Sequence, residues 1–180
     1  MSPFVIRRAT VADAAALAKL AARTFAETFA ADNKPEDIEN HLDSAYGLAQ
    51  QTTEIQDSEA ITLLAHREEP LVGFAQVRRK AAPSCVIGER PVELHRFYVL
   101  RSQHGTGLGG SLMQAARTAA QELGGHRMWL GVWERNARAL AFYRKAGFVE
   151  VGNHVFMVGS DPQTDLVLVS PLLATPRSAA

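Results

Sequence analysis

The chemically suggestive part of the sequence is Leu94-His95-Arg96-Phe97-Tyr98-Val99-Leu100-Arg101-Ser102-Gln103-His104-Gly105-Thr106-Gly107-Leu108-Gly109-Gly110. An aromatic and aliphatic run gives way to glycines at 105, 107 and 109, with Gly110 behind them, and a longer Ala- and Leu-containing run follows. That order predicts a strand, a glycine turn and a helix N-terminus. Glycine admits unusual dihedrals and lets a ligand approach the backbone. The unpaired N–H groups and the dipole of a helix start favour a phosphate. Gly105 to Gly110 also satisfies G-x-G-x-x-G, the dinucleotide-binding turn. That turn wants an acidic residue ~20 positions on, and Glu134 stands 24 after Gly110. The context argues against it: an antiparallel hairpin is predicted upstream and only 70 residues follow, which does not fit a doubly wound sheet. No Lys-Ser or Lys-Thr follows the glycines, which excludes a Walker-type loop.

A second segment, Asn136-x-x-Ala139-x-x-Phe142-Tyr143-x-Lys145-x-Gly147-Phe148, carries an amide, a phenol and an ammonium. Asn136 and Tyr143 are seven residues apart, two helical turns, so both can face one cleft. In this order, and about 30 residues apart, the two segments resemble the signatures of the GNAT acyltransferases. The CoA-binding turn of that family is Gln/Arg-x-x-Gly-x-Gly/Ala; here His104-Gly105-Thr106-Gly107-Leu108-Gly109 occupies it, with His104 in place of the usual Gln or Arg. The resemblance extends through Trp129 to Asn136, Val155 to Gly159 and Thr24 to Phe29, and its details are most similar to the PaiA-type polyamine acetyltransferases.

The resemblance implies a GNAT fold: a mixed, mostly antiparallel sheet with a splayed parallel strand pair and helices on both faces. It implies acetyl-CoA as cosubstrate, without a metal. The pyrophosphate is expected on the turn formed by His104, Gly105, Thr106, Gly107, Leu108, Gly109 and Gly110. The pantetheine is expected to pair like an added strand with backbone at Phe97, Tyr98 and Val99, and Asn136, Tyr143 and Lys145 belong to the same implied cofactor site. The implied reaction is direct acetyl transfer to a primary amine, polyamines first. Acetylation of another amine (a protein N-terminus, a lysine, an aminoglycoside, an amino acid) and a CoA-binding sensor without turnover are the alternatives.

A free alkyl amine of lysine type has a pKa near 10.4, so it reaches the enzyme protonated and must lose a proton before attack. A carboxylate or an imidazole, directly or through water, can take it. Tyr143 is the expected acid for the leaving thiolate, the role its counterpart has in much of the family. Glu93 is the preferred base: on a regular strand Glu93, His95, Phe97 and Val99 share one face. His95 is its rival, and Glu27 on the first helix is a third candidate, or a residue that positions the amine. Cys85 could suggest a covalent acyl-enzyme, but its setting Ala81-Ala82-Pro83-Ser84-Cys85-Val86 is a loop and no site. Between Asp32 and Asp43, Asp32, Glu36, Asp37, Glu39 and Asp43 stand against Lys34, and the helix predicted there would draw a cationic amine if it rims the acceptor cleft. Six histidines show no His-x-x-x-His spacing, so a metal is not expected. Trp129 and Trp133 point to one strand face, most simply as packing.

Several elements must position these groups. Phe4 to Ile6 forms a strand, and Thr10 with Asp13 resembles a capping pair ahead of a helix reaching Phe29. Pro35 opens a second helix that Gly47 closes. Ala60 to Ala65 and Leu71 to Arg79 form a hairpin, and Val92 to Leu100 a strand. Leu108 to Leu123 is a helix, Arg127 to Trp133 a strand, Asn136 to Ala146 a helix. Phe148 to Val158 and Thr164 to Val169 form a closing hairpin. One domain is expected over 1–172, with 173–180 a flexible tail.

At 180 residues, folding hides roughly 70% of the unfolded chain's surface. Hydrophobic residues make 47% and charged residues 21%, a globular balance. Nineteen basic residues offset nineteen acidic ones, which argues against broad binding to nucleic acid or an anionic membrane. One cysteine excludes an intrachain disulfide, and the N-terminus lacks a signal-peptide layout. The expectation is a cytoplasmic protein acting on a small-molecule amine, with a homodimer as a possible assembly.

Overall fold

The computed structural model describes residues 4–31, 34–158 and 161–172. Five helices, α1 (Ala14–Phe29), α2 (Pro35–Tyr46), α3 (Leu48–Gln56), α4 (Leu108–Glu122) and α5 (Ala137–Lys145), accompany seven strands. The strands are β1 (Phe4–Arg8), β2 (Ala60–Arg67), β3 (Leu71–Arg78), β4 (Pro91–Val99), β5 (Arg127–Trp133), β6 (Val149–Val158) and β7 (Asp161–Pro171). They form one sheet in the order β1-β2-β3-β4-β5-β7-β6. Only β4 and β5 run parallel; every other neighbouring pair is antiparallel. The expected mixed sheet with helices on both faces is therefore the observed fold.

Local chemistry accounts for most boundaries. The Asp13 carboxylate accepts from the Thr10 amide at 2.8 Å and pairs with Arg7 at 2.8 Å, which fixes the approach to α1. Leu17, Leu20, Ala21, Phe25 and Phe29 recur at helical spacing and are buried against the sheet. Pro35 is at the start of α2, and Gly47 ends it in an extended conformation that also caps α3. The sequence did not announce α3: its residues are mostly polar, and Gln51 turns inward only because its amide donates to the Ala45 carbonyl at 3.1 Å.

Two features of the sheet shape the site. First, β4 carries a bulge. Gln76 pairs with Arg96 but the next residue, Val77, pairs with Leu94, so His95 has no opposite number on β3. An extra residue in a strand reverses the alternation beyond it. Glu93 shares a face with Arg78, Arg96 and Tyr98; Leu94 and Phe97 share the other. The expectation that Glu93 lies on the Phe97 side is thereby corrected. Second, the parallel ladder ends early: β5 meets Pro91, Val92 and Glu93 of β4 and nothing further along that strand. The rest of β4, to Val99, leaves its β5-facing backbone groups without ladder partners.

The face carrying Arg96 is covered by α2 and α3. Arg96, 7% exposed, donates to the Glu54 carboxylate on α3 and to the Ala45 carbonyl on α2 at 3.0 Å, with its guanidinium 4.6 Å from the Tyr46 ring centre. Gln76 donates to Glu54 at 3.2 Å and Thr62 at 3.1 Å, so the buried charge pair is well supplied with hydrogen bonds. This network anchors the α2–α3 corner over the sheet. On the opposite face, Phe97 stacks on Phe142 of α5 at 5.4 Å. The edge strand β6 exposes Val149, Val151, Val155 and Met157. Among the described residues no helix is long and apolar enough to cross a membrane.

Candidate active site

A cleft of about 1400 Å3 runs through the gap between β4 and β5, reaching from the glycine turn to β6 and β7. At one end stands the turn. Gly105 (φ 80°) and Gly107 (φ 89°) both adopt the left-handed region, and Gly107 caps α4. A Cβ at Gly105, Gly107 or Gly110 would meet nothing within 4 Å, so the backbone here borders open space. Gly109 differs, since a Cβ there would lie 3.2 Å from Phe142 Cε2. Its lack of a side chain lets α5 approach α4. Leu108 is wholly buried in the core, so the turn can offer only its backbone. Thr106 spends its hydroxyl on the Gln103 carbonyl at 2.7 Å.

His104 is built into this end. Its Nε2 lies 3.2 Å from the Val99 carbonyl, and Arg138 donates to its Nδ1. Both contacts are met by the tautomer that carries its proton on Nε2. Arg138 and Lys145 both line the cleft, two cations seven residues apart on or beside α5. Arg138 was not singled out from the sequence; the signal was there, because seven residues before Lys145 is the same helix face. Asn136 caps α5, its Oδ1 accepting from the Ala139 amide at 3.1 Å, which leaves its NH2 group for the cleft.

Where the strands part, Phe97, Tyr98 and Val99 line the cleft, as do Phe142 and Tyr143. Tyr143 packs edge-on against Phe97 at 6.3 Å and Phe148 at 5.7 Å. Burial pushes its hydroxyl well above the ordinary phenol range, so it keeps its proton throughout the neutral range. Glu93 is 9% exposed and receives Arg78 Nε at 2.5 Å, with His95 Nδ1 3.6 Å from its other oxygen. Burial alone would raise this carboxyl, but His95 and Arg78 outweigh it and hold it at about 2. Burial lowers the His95 imidazole below its usual 6.5, against the pull of Glu93. The expectation of Glu93 as proton acceptor meets a physical obstacle here: a carboxylate so acidic is a weak base, whereas the neighbouring imidazole is neutral and lines the cleft.

Glu27 also borders the cleft, with both carboxylate oxygens occupied. Arg23 Nε lies 3.0 Å from Oε1, and the Arg101 amide donates to Oε2 at 3.1 Å. Burial would raise its pKa, but Arg101 and Arg23 bring it below the usual value. Its visible work is to tie α1 to the turn after β4. Helix α2 does rim the cleft, through His41, Ala45 and Tyr46. The condition set for its acids, that this helix rims the cleft, is thus met, although the exposed Glu36 and Glu39 do not themselves line it; Asp32 and the side chains of Asp37 and Asp43 lie outside the described residues. Cys85 packs beneath Gly152 and does not line the cleft, but Ala81, Ala82 and Pro83 of its loop do, which corrects the expectation that this loop enters no site. Trp129 and Trp133, expected as plain packing, border the cleft as well. Among the described residues no group of three or more His, Cys, Asp and Glu side chains could hold a metal ion.

The sequence pattern of the Acetyltransferase (GNAT) family matches residues 16–148. The chain belongs to that family. It is 34% identical over 161 residues to an uncharacterized N-acetyltransferase of Mycobacterium tuberculosis, covering 89% of this chain and 99% of the relative. It is 31% identical over 150 residues to an uncharacterized N-acetyltransferase of Lactobacillus delbrueckii subsp. lactis, covering 83% and 87%. In fold it is similar to the PaiA N-acetyltransferase of Thermoplasma acidophilum solved with coenzyme A: TM-score 0.76, 22% identity, 93% of this chain and 98% of that one. This GNAT protein is an acetyl-CoA-dependent N-acetyltransferase. Its residues suit that cosubstrate: the open glycine backbone at a helix start offers N–H groups to a phosphate, Arg138 is held there by His104, and Lys145 lines the same cleft.

Proposed function

We propose that the acceptor is an aliphatic primary amine of the polyamine class, acetylated by direct attack while both substrates are bound. The observation that carries this reading is the arrangement at the opening between β4 and β5. The Glu93–His95 pair lies on the sheet face covered by α2, Tyr143 packs on the other, and the cleft joins them. Phe29, Tyr46, Trp129 and Trp133 give the acceptor side apolar walls suited to a methylene chain, while Glu93 and Asp165 supply carboxylates. The fold shared with a PaiA acetyltransferase points the same way.

In this reading each residue has a task. His95 takes the proton from the incoming ammonium, and Glu93 orients the imidazole and stabilises its charged form. Unpaired N–H groups of β4 near Val99 polarise the thioester carbonyl. Tyr143 donates a hydrogen bond to the leaving sulfur. Because its hydroxyl is a weaker acid than an ordinary thiol, full proton transfer would run uphill, and the hydrogen bond alone stabilises the developing thiolate. The glycine turn from Gly105 to Gly110, His104, Arg138, Lys145 and the NH2 of Asn136 hold the CoA moiety, and Phe97 to Val99 pair with its arm. Glu27 shapes the cleft wall through Arg101.

Release of free CoA thiol with acetyl-CoA and a panel of amines tests this. Turnover of spermidine or spermine above the amine-free blank is the expected result. Turnover confined to peptides, aminoglycosides or amino acids would discard the polyamine acceptor.

A further inference from the structure

Three strands bring an unused carboxyl to the cleft floor. Asp165 of β7 is 8% exposed, and its Oδ1 is fully buried without a hydrogen-bond partner among the described residues. No cation pairs with it: the salt bridges of the described residues leave it out. Directly across the ladder stands His154 of β6, whose Nδ1 is likewise buried and unpartnered. Both side chains lean over Gly131 of β5. A Cβ on Gly131 would lie 3.0 Å from His154 Cε1, 3.2 Å from Asp165 Oδ2 and 3.2 Å from His154 Nε2, so the two side chains close down over residue 131 and can do so because it is glycine. Gly131, His154 and Asp165 all line the cleft.

The register fixes which face they occupy. Glu93 pairs with Trp129, and Trp133 pairs with Asp165. Paired residues share a face, and Trp129, Gly131 and Trp133 alternate onto one. The cluster over Gly131 therefore lies on the same side as the Glu93–His95 pair. It lies one strand over and two residues along from Glu93, on the order of 8 Å by strand geometry.

A buried acceptor with no donor is costly in a folded protein. Its persistence at a cleft floor asks for a partner that arrives from solution. The partner must donate hydrogen bonds and carry positive charge. It must be slim enough to reach Asp165 from the cleft past Trp129 and Trp133, which line the same cleft. An ammonium on a short aliphatic chain meets all of these requirements.

We propose that Asp165, with His154 beside it, forms a second ammonium subsite over Gly131, which binds the non-reacting nitrogen of a diamine or polyamine while the other end is acetylated. This rests on the amine-acceptor reading above and adds which residues recognise the distant charge. Burial raises the Asp165 carboxyl to about 7, the behaviour of a group that lacks its counter-ion until ligand binds.

Putrescine and butylamine differ only in the second ammonium, so the ratio of their kcat/KM values reads the subsite. The expected result is a ratio favouring putrescine about tenfold or more in the native protein, reduced about tenfold by Asp165→Asn and kept by Asp165→Glu. A ratio unchanged in Asp165→Asn overturns the subsite while polyamine turnover stands. If native protein acetylates neither putrescine nor spermidine, the acceptor reading itself fails, and the subsite falls with it. A measurement independent of variants covers a misfolded Asp165→Asn: with CoA bound, putrescine should shift the His154 ring resonances in NMR and butylamine should not. Equal shifts from both amines, or none from either, overturn the proposal.

Discussion

Arg138 donates to Nδ1 of His104, and Nε2 of the same ring reaches the carbonyl of Val99 at 3.2 Å. A single imidazole thus links α5 to the end of β4 across the cleft mouth. It also steers a guanidinium that would otherwise swing in solvent.

Removing that guanidinium should weaken cosubstrate binding. Arg138→Ala is expected to raise the dissociation constant of CoA by about tenfold to a hundredfold, the worth of one or two charge-assisted contacts. Arg138→Lys should recover part of the loss, because charge returns without the planar fork. Isothermal calorimetry with CoA measures both.

Tyr143→Phe separates chemistry from binding. The ring contacts to Phe97 and Phe148 survive the change, so the fold and CoA affinity should hold. If the hydroxyl steadies the leaving sulfur, kcat should fall by about tenfold to a thousandfold. An unchanged kcat would return Tyr143 to packing.

The pH profile distinguishes the two residues of the β4 pair. Glu93, held at about 2, stays ionised across the working range and contributes no limb. His95 titrates below 6.5, so a reaction that needs it neutral should lose rate as pH falls through its pKa and level off above. His95→Gln should give a slower enzyme from which that acid limb is gone. Measuring kcat at saturating amine between roughly pH 5 and 8 reads this.

The two glycines of the turn should fail differently. Gly107→Val forces a branched residue to φ 89° and fills the space in front of α4, so CoA binding should be lost, with about 1–2 kcal/mol of stability. Gly109→Ala presses on Phe142, displacing α5 and Tyr143, so kcat should suffer more than CoA affinity. Calorimetry beside steady-state kinetics tells them apart.

Asp165 should leave a signature in stability. Its carboxyl is raised from 3.8 to about 7 in the folded state, so the native protein holds a proton that the unfolded chain releases. That contribution is full below about 3.8 and is lost as pH rises through about 7, up to about 2–4 kcal/mol. Asp165→Asn does not titrate. Its melting temperature relative to the native protein should therefore climb as pH rises from about 4 to 8, by several degrees. A pH-independent difference would mean that the carboxyl is not buried uncharged.

Much of this site could be read from residue order alone. The glycines at 105 and 107, the capping Asn136 and the apolar spacing of α1 are local signals, and the structure keeps each of them. What escaped depends on pairing between distant segments. The bulge at His95 exists because β3 and β4 are out of step by one residue, and strict alternation put Glu93 on the wrong face. Asp165 and His154 acquire meaning only when β6 and β7 fold beside Gly131, more than twenty positions upstream. Helix α3 escaped for another reason: it is mostly polar and is tied to β4 by the contact of Glu54 with Arg96, which no apolar stripe records.

The extra residue in β4 also sets what length changes the strand tolerates. Substituting His95 removes an imidazole and leaves the ladder's phase alone. Deleting it would leave Leu94 opposite Val77 and Glu93 opposite Arg78 in an unbroken ladder, each on its present face, so the bulge and the imidazole would disappear together. Glu93 would keep its place beside Arg78, and Leu94 its place in the core. Loss of this one residue is therefore the length change that the strand can absorb without turning Glu93 away from Arg78.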